Sequence, residues 1–111
     1  HARAEEFAAA HRERFDAATS RAVAELRTLC EFALPMVKVG GTFYAMKAAD
    51  CGDEIAAAAN AIEVLGAAAP TLLHYTVPHD GVERVIVRLH KTAQTPAQYP
   101  RRFKKIQSAP L

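Results

Sequence analysis

Residues Phe15 to Leu34 read FDAATSRAVAELRTLCEFAL. The short run from Phe15 to Ala18, apolar except for Asp16, suits a buried strand. After Thr19, Ser20 and Arg21 the pattern changes: Ala22, Val23, Leu26, Leu29, Cys30, Ala33 and Leu34 share one face at helical spacing. Arg27 and Glu31 fall on the other face, one turn apart, and Pro35 stops or kinks the pattern. Thr19 or Ser20 can cap such a helix. The spacing therefore predicts a strand over Phe15 to Ser20 and a helix over Arg21 to Leu34, with an arginine where one becomes the other. In open α/β sheets ligands sit at the carboxyl ends of strands, where such switches occur. Arg21 is thus either a ligand-facing residue or a solvated first-turn residue.

The same rhythm runs downstream. Met36 to Gly41 reads as a loop turning at Gly40-Gly41. Thr42 to Lys47, TFYAMK, is nearly all apolar, as expected for a strand buried on both faces, with Lys47 at its carboxyl end. Asp50 to Asp53 forms a turn with caps for a helix striped by Ile55, Ala58, Ala59, Ile62 and Leu65, and Gly66 ends it. Glu54 and Glu63 are expected in solvent. Thr71 to Val77 is a third strand and Glu83 to Lys91 a fourth. Pro78-His79-Asp80-Gly81 joins them with turn chemistry, so the two should pair antiparallel. Thr92 to Leu111 holds three prolines and no long periodicity, which predicts a basic extended tail (residues 92–111) on a folded unit (residues 1–91). Tyr99 and Phe103 in that tail either stack on bases or pin the tail to the body.

The net charge of +2 conceals an asymmetry. No acidic residue follows Glu83, whereas Arg84, Arg88, Lys91, Arg101, Arg102, Lys104 and Lys105 do, a balance of +7. The preceding part sets seven basic residues against twelve acidic ones, a balance of −5. A basic end on an acidic body points to a polyanionic partner, unless that end only aids solubility. At 111 residues the chain forms one domain at most. No run approaches the roughly 18 apolar residues of a membrane span, and the charged start HARAEEFAAAHRERF does not read as a signal peptide. Cys30 reads as a core thiol and Cys51 as a turn residue, with no disulfide expected in a cytosolic chain. The five histidines have no metal-ligand spacing.

The segments RAEEF, FDAATSRAVAEL, LPMVKVGGTFYAMKA and TPAQYPRRFKKIQSAPL together resemble the C-terminal half of the ribosomal small-subunit RNA methyltransferase G family, also called glucose-inhibited division protein B. SRAVAEL and the terminal YPRR…PL pattern are the most specific of these. The resemblance implies an α/β fold: the C-terminal half of a Rossmann-like class I methyltransferase sheet, ending in an antiparallel β-hairpin. It implies S-adenosyl-L-methionine as cofactor and N7 of a guanine in 16S rRNA as methyl acceptor, on free rRNA or the small ribosomal subunit, by a cytoplasmic, monomeric enzyme using no metal. By the same resemblance Ala4, Glu5 and Arg21 lie at the cofactor, and Lys47 lies beside the cleft. Arg101 and Arg102, with Lys104 and Lys105, serve RNA binding or tail docking. No catalytic residue is assigned. The family's glycine-rich cofactor loop and its ribose-holding acidic residue are expected upstream of His1, so the chain reads as a fragment. The competing readings are a non-catalytic RNA-binding remnant, a methyltransferase for a small molecule or protein, and an inactive truncated product.

Overall fold

The strands and helices described below come from a computed structural model, which describes residues 10–21 and 24–111. Strand β1 (Phe15–Ser20) is followed by helix α1 (Leu26–Ala33), a 3-10 turn (Leu34–Met36) and strand β2 (Val37–Ala48). Helices α2 (Gly52–Ala57) and α3 (Ala59–Val64) lead to strands β3 (Thr71–Thr76) and β4 (Glu83–His90), and helix α4 (Phe103–Ser108) closes the chain. The strand order is β1-β2-β4-β3. β1 and β2 are parallel, and β4 is inserted antiparallel between β2 and β3. This is the expected Rossmann-like methyltransferase pattern with its antiparallel final strand.

Alternation along the strands sorts the sheet into two faces. Phe43 and Ala45 of β2 and Val85, Val87 and Leu89 of β4 are fully buried, and they form one core with Leu26, Leu29 and Cys30 of α1 and Ala58, Ala61, Ile62 and Leu65 around α3. Tyr44, Met46, Arg84, Ile86 and Arg88 point to the other face and stay half-buried. Thr42 to Lys47 is therefore fully covered on one face only among the described residues, where burial on both was expected. β1 lies at one edge of the sheet and β3 at the other.

Three local departures from the sequence reading have physical causes. The first long helix starts at Leu26, not Arg21, and neither Thr19 nor Ser20 caps it. Its N-cap position is Glu25, in extended backbone with no side-chain cap of its own. Instead, the Glu54 carboxylate accepts the Leu26 N–H at 2.7 Å, so the cap arrives from α2 through space. Next, the predicted loop from Met36 to Gly41 is mostly strand. β2 runs through it with Gly40 at φ +93° and a register shift against β1 between Phe15 and Ala17. The backbones come so close there that a Cβ on Gly41 would sit 2.5 Å from the Asp16 carbonyl oxygen. Finally, the predicted single helix after Asp50 is two short ones meeting at Ala58, and Cys51, not an aspartate, occupies the N-cap of α2.

Gly66 does end α3 as expected. With φ +95° it lets Ala67 N–H reach the Ile62 carbonyl at 2.9 Å and its own N–H reach that of Glu63 at 3.2 Å. This is the paired Schellman arrangement. The hairpin turn also matches its chemistry: Asp80 Oδ1 accepts the Val82 N–H at 2.8 Å beside Gly81 at φ +68°.

Candidate functional site

The carboxyl ends of β1, β2 and β3 converge on one cleft of about 500 Å³. Arg21, Met46, Lys47, Ala48, Glu54, Tyr75, Val82 and Arg84 line it. The position follows from topology: parallel strands aim their carboxyl ends at one edge, and the switch after each strand leaves space there. Arg21 directly follows β1, is exposed, and lines this cleft. The predicted contacts Ala4 and Glu5 lie outside the described residues.

Lys47 also lines the cleft, but its ammonium is committed. The side chain is 8% exposed, pairs with Glu54 at 2.6 Å and donates to the Ala24 carbonyl at 2.7 Å. Glu54, expected in solvent, thus holds Lys47 with the same oxygen that accepts the Leu26 N–H. The pair ties α2 to the start of α1 and adds little net charge to the cleft. Arg84 differs. It pairs with Asp80 Oδ2 at 3.4 and 3.5 Å, longer than a tight charge-assisted bond. The cleft's net positive charge therefore rests on Arg21 and Arg84. Sequence reasoning gave Tyr75, Met46 and Arg84 no place there. The usable signal was their position at strand ends on one side of the hairpin.

The basic tail is not extended throughout. Residues 103–108 form α4, which packs Ile106 into full burial, while Phe103 stacks on Phe32 of α1 with ring centroids 6.2 Å apart. Tyr99 packs against the core. Both aromatics therefore anchor the tail. Arg101 does the same. Its Nε and Nη2 donate to the two oxygens of Glu31 at 2.9 and 2.7 Å, and its backbone N–H donates to Glu31 at 2.8 Å. Glu31, which its spacing puts on the helix face opposite the apolar stripe, is 1% exposed. The carboxylate beside it pushes the Arg101 pKa up further.

Two of the seven cations after Glu83, Arg101 and Lys91, are engaged inside the fold. Lys91 is buried and donates to Glu13 at 2.9 Å and to the Leu34 and Val37 carbonyls at 2.6 and 2.7 Å. Burial pulls its pKa down and the Glu13 contact pushes it back up. Glu13 also accepts the Thr95 N–H at 2.9 Å, and Arg12 donates to the carbonyls of Thr95, Pro96 and Tyr99. Residues 12–13 thereby strap the start of the tail to the body. Arg102, Lys104 and Lys105 remain exposed at the surface, and among the described residues no ion pair engages them. The structure therefore separates the predicted RNA-contacting set: Lys47 in the cleft, Arg101 in an internal ion pair, and three cations on the α4 surface. Among the described residues no group of three or more His, Cys, Asp or Glu side chains could hold a metal ion, and no helix is long and apolar enough to cross a membrane. Cys30 and Cys51 are both buried free thiols.

A family model described as rRNA small subunit methyltransferase G matches residues 1–84. Proteins named "Ribosomal RNA small subunit methyltransferase G" are similar across nearly the whole chain. The one from Caldicellulosiruptor bescii is 44% identical over 109 residues, covering 98% of this chain and 44% of that protein. The one from Geobacillus kaustophilus is 47% identical over 104 residues, covering 92% and 44%. The one from Acetivibrio thermocellus is 40% identical over 113 residues, covering 100% and 46%. The chain thus spans a little under half the length of these relatives. A β1-β2-β4-β3 sheet with a cleft at its carboxyl edge, a match over residues 1–84 and these identities together place the chain in the rRNA small subunit methyltransferase G family.

Proposed function

We propose that the chain serves an S-adenosyl-L-methionine-dependent enzyme that methylates N7 of a guanine in 16S rRNA, in the cytoplasm and as a monomer. The observation that carries this reading is the arginine-bearing cleft at the carboxyl edge of the sheet in a member of this family. The cofactor supplies an electrophilic methyl group. The described residues fit one wall of its site: Arg21 is available to an anionic group, whereas Glu54, the cleft's carboxylate, is engaged by Lys47 and Leu26 and does not suit the ribose hydroxyls. Ala4 and Glu5 are the proposed further contacts.

Guanine N7 is a lone-pair nucleophile with no proton to lose, so the chain's residues need only bind, orient and exclude water. Arg21 shapes the cleft for the substrate or cofactor. Lys47, held by Glu54, keeps the strand end and the start of α1 in place as one wall. Arg102, Lys104 and Lys105 hold the RNA backbone, while Arg101 docks the tail that presents them.

The test is methyl transfer from labelled S-adenosyl-L-methionine to 16S rRNA or small subunits, by an enzyme of the relatives' full length carrying this sequence. Arg21→Ala is expected to lower transfer at least tenfold with an unchanged melting temperature, and unchanged transfer would remove Arg21 from the site. Replacing Arg102, Lys104 and Lys105 by Ala should flatten the salt dependence of RNA binding by about 0.7 per lost phosphate contact on a single strand. Binding that ignores salt would instead favour a small-molecule or protein substrate.

A further inference from the structure

Gripping an RNA inside the cleft takes a cation that the fold has not already engaged. Several cations near the cleft and tail are bound tightly within the fold. Lys47, Lys91 and Arg101 each hold a carboxylate at 2.6 to 2.9 Å, and Arg12 holds main-chain carbonyls. Arg84 does not. Its register partners are Ala48 on β2 and Tyr75 on β3, so one row across three strands reads Ala48-Arg84-Tyr75 at the carboxyl edge. Ala48 is too short to fill its place, and Tyr75 sets a ring on the opposite side. Val82, 47% exposed, adds an apolar rim. Asp80 cannot follow Arg84 far, because its other oxygen is fixed by the Val82 N–H.

We propose that Arg84 grips a backbone phosphate of the RNA beside the target guanine, with the Tyr75 ring as the surface on which that base stacks and Asp80 as the partner the phosphate displaces. This rests on the RNA-methyltransferase reading. An arginine paired to the guanine edge itself would occupy O6 and N7, and N7 must stay open to accept the methyl group. A phosphate offers the guanidinium fork two acceptor oxygens and leaves N7 open. It outcompetes Asp80 because the existing contacts are long, at 3.4 and 3.5 Å, and the Arg84 side chain is 37% exposed.

The experiment is fluorescence anisotropy of a labelled single-stranded RNA carrying one guanine, titrated with an enzyme of the relatives' full length carrying this sequence as the parent chain, across a range of salt. Circular dichroism melts accompany each variant. Arg84→Met, which keeps the stem, should weaken binding about tenfold and lower the salt slope by about 0.7. Tyr75→Ala should weaken it about tenfold with the slope unchanged, since stacking carries no charge, and Tyr75→Phe should bind like the parent. Asp80→Asn keeps the acceptor for Val82 but removes the competing charge, so it should tighten binding several-fold. Opposite signs at Arg84 and Asp80 are a signature that misfolding cannot produce. Equal affinity of Arg84→Met and the parent, with the Arg102, Lys104 and Lys105 alanine variant still weakened, would overturn this inference and leave the RNA reading intact. No RNA binding by the parent chain would overturn both.

Discussion

Replacing Glu31 by Ala should undo the docking of the tail, and its cost can be worked from the geometry. Glu31 is 1% exposed and accepts three bonds from Arg101, at 2.7, 2.8 and 2.9 Å. Its loss strands a guanidinium and a backbone N–H that were satisfied only by that carboxylate, apart from the Arg101 bond to the Ala109 carbonyl at 2.9 Å. Breaking a buried pair from one side costs about 3 to 5 kcal/mol. The Arg101 side chain is 19% exposed, so water reaches it, and the low end, about 3 kcal/mol, is expected. For a chain of this length that lowers the melting temperature by about 12 °C. Arg101→Met should cost a similar amount, because it leaves the buried carboxylate with only the backbone N–H of residue 101. Glu31→Ala with Arg101→Met together should cost about 4 kcal/mol, less than the roughly 6 kcal/mol of the two single changes added, giving a coupling of about 2 kcal/mol in the double-mutant cycle. Urea unfolding of the four proteins measures it. A coupling under about 0.5 kcal/mol would show that the pair is not what seats the tail, and the docking role of Arg101 would fall.

Gly66→Ala should destabilise the chain by about 2 kcal/mol or more, read by urea unfolding. Its φ is +95° and the added Cβ would meet the Ala93 carbonyl oxygen at 2.3 Å, which is backbone and cannot swing aside. Glu54→Ala should cost about 2 to 3 kcal/mol by the same assay, since it strands the Lys47 ammonium and the Leu26 N–H together. Burial pushes the Cys30 thiol up to about 12, with Lys47 opposing it weakly. Its folded pKa is above the unfolded one, so this contribution to stability is fully present below about pH 9 and lost as pH rises toward 12. The slope is about 1.4 kcal/mol per pH unit. Cys30→Ala should flatten that alkaline loss, and neither buried thiol should react with a disulfide reagent at pH 8 until the chain unfolds.

Local chemistry was legible in the chain wherever neighbours in sequence are also neighbours in space. The strand at Phe15, the strand pair after Pro70, the Asp80-Gly81 turn and the Gly66 stop all depend on residues within one turn or one strand. Their periods and caps are written in the order of side chains. Arg21 was likewise readable, because a switch residue after a parallel strand reaches the carboxyl edge whatever else surrounds it. The charge reading, by contrast, counted the cations after Glu83 together and could not separate RNA binding from tail docking for Arg101. Composition records a charge but not its partner, and the partners of Lys91 and Arg101 lie 78 and 70 residues away.

By itself, then, the sequence determined the order of the four strands, the antiparallel end of the sheet, the helix stop and the family pattern. Only the tertiary structure decided which charges are spent inside the fold. Glu54 looked like a solvated carboxylate, Glu31 lay on the helix face opposite the apolar stripe, and Glu13 carried no signal of its own. Folding brings each against a specific cation or backbone N–H, where losing water is offset by hydrogen bonds of 2.6 to 2.9 Å. The pairing of β4 with β2 likewise places Arg84 beside Ala48, far away in sequence, whereas the hairpin turn alone sets its register against Tyr75.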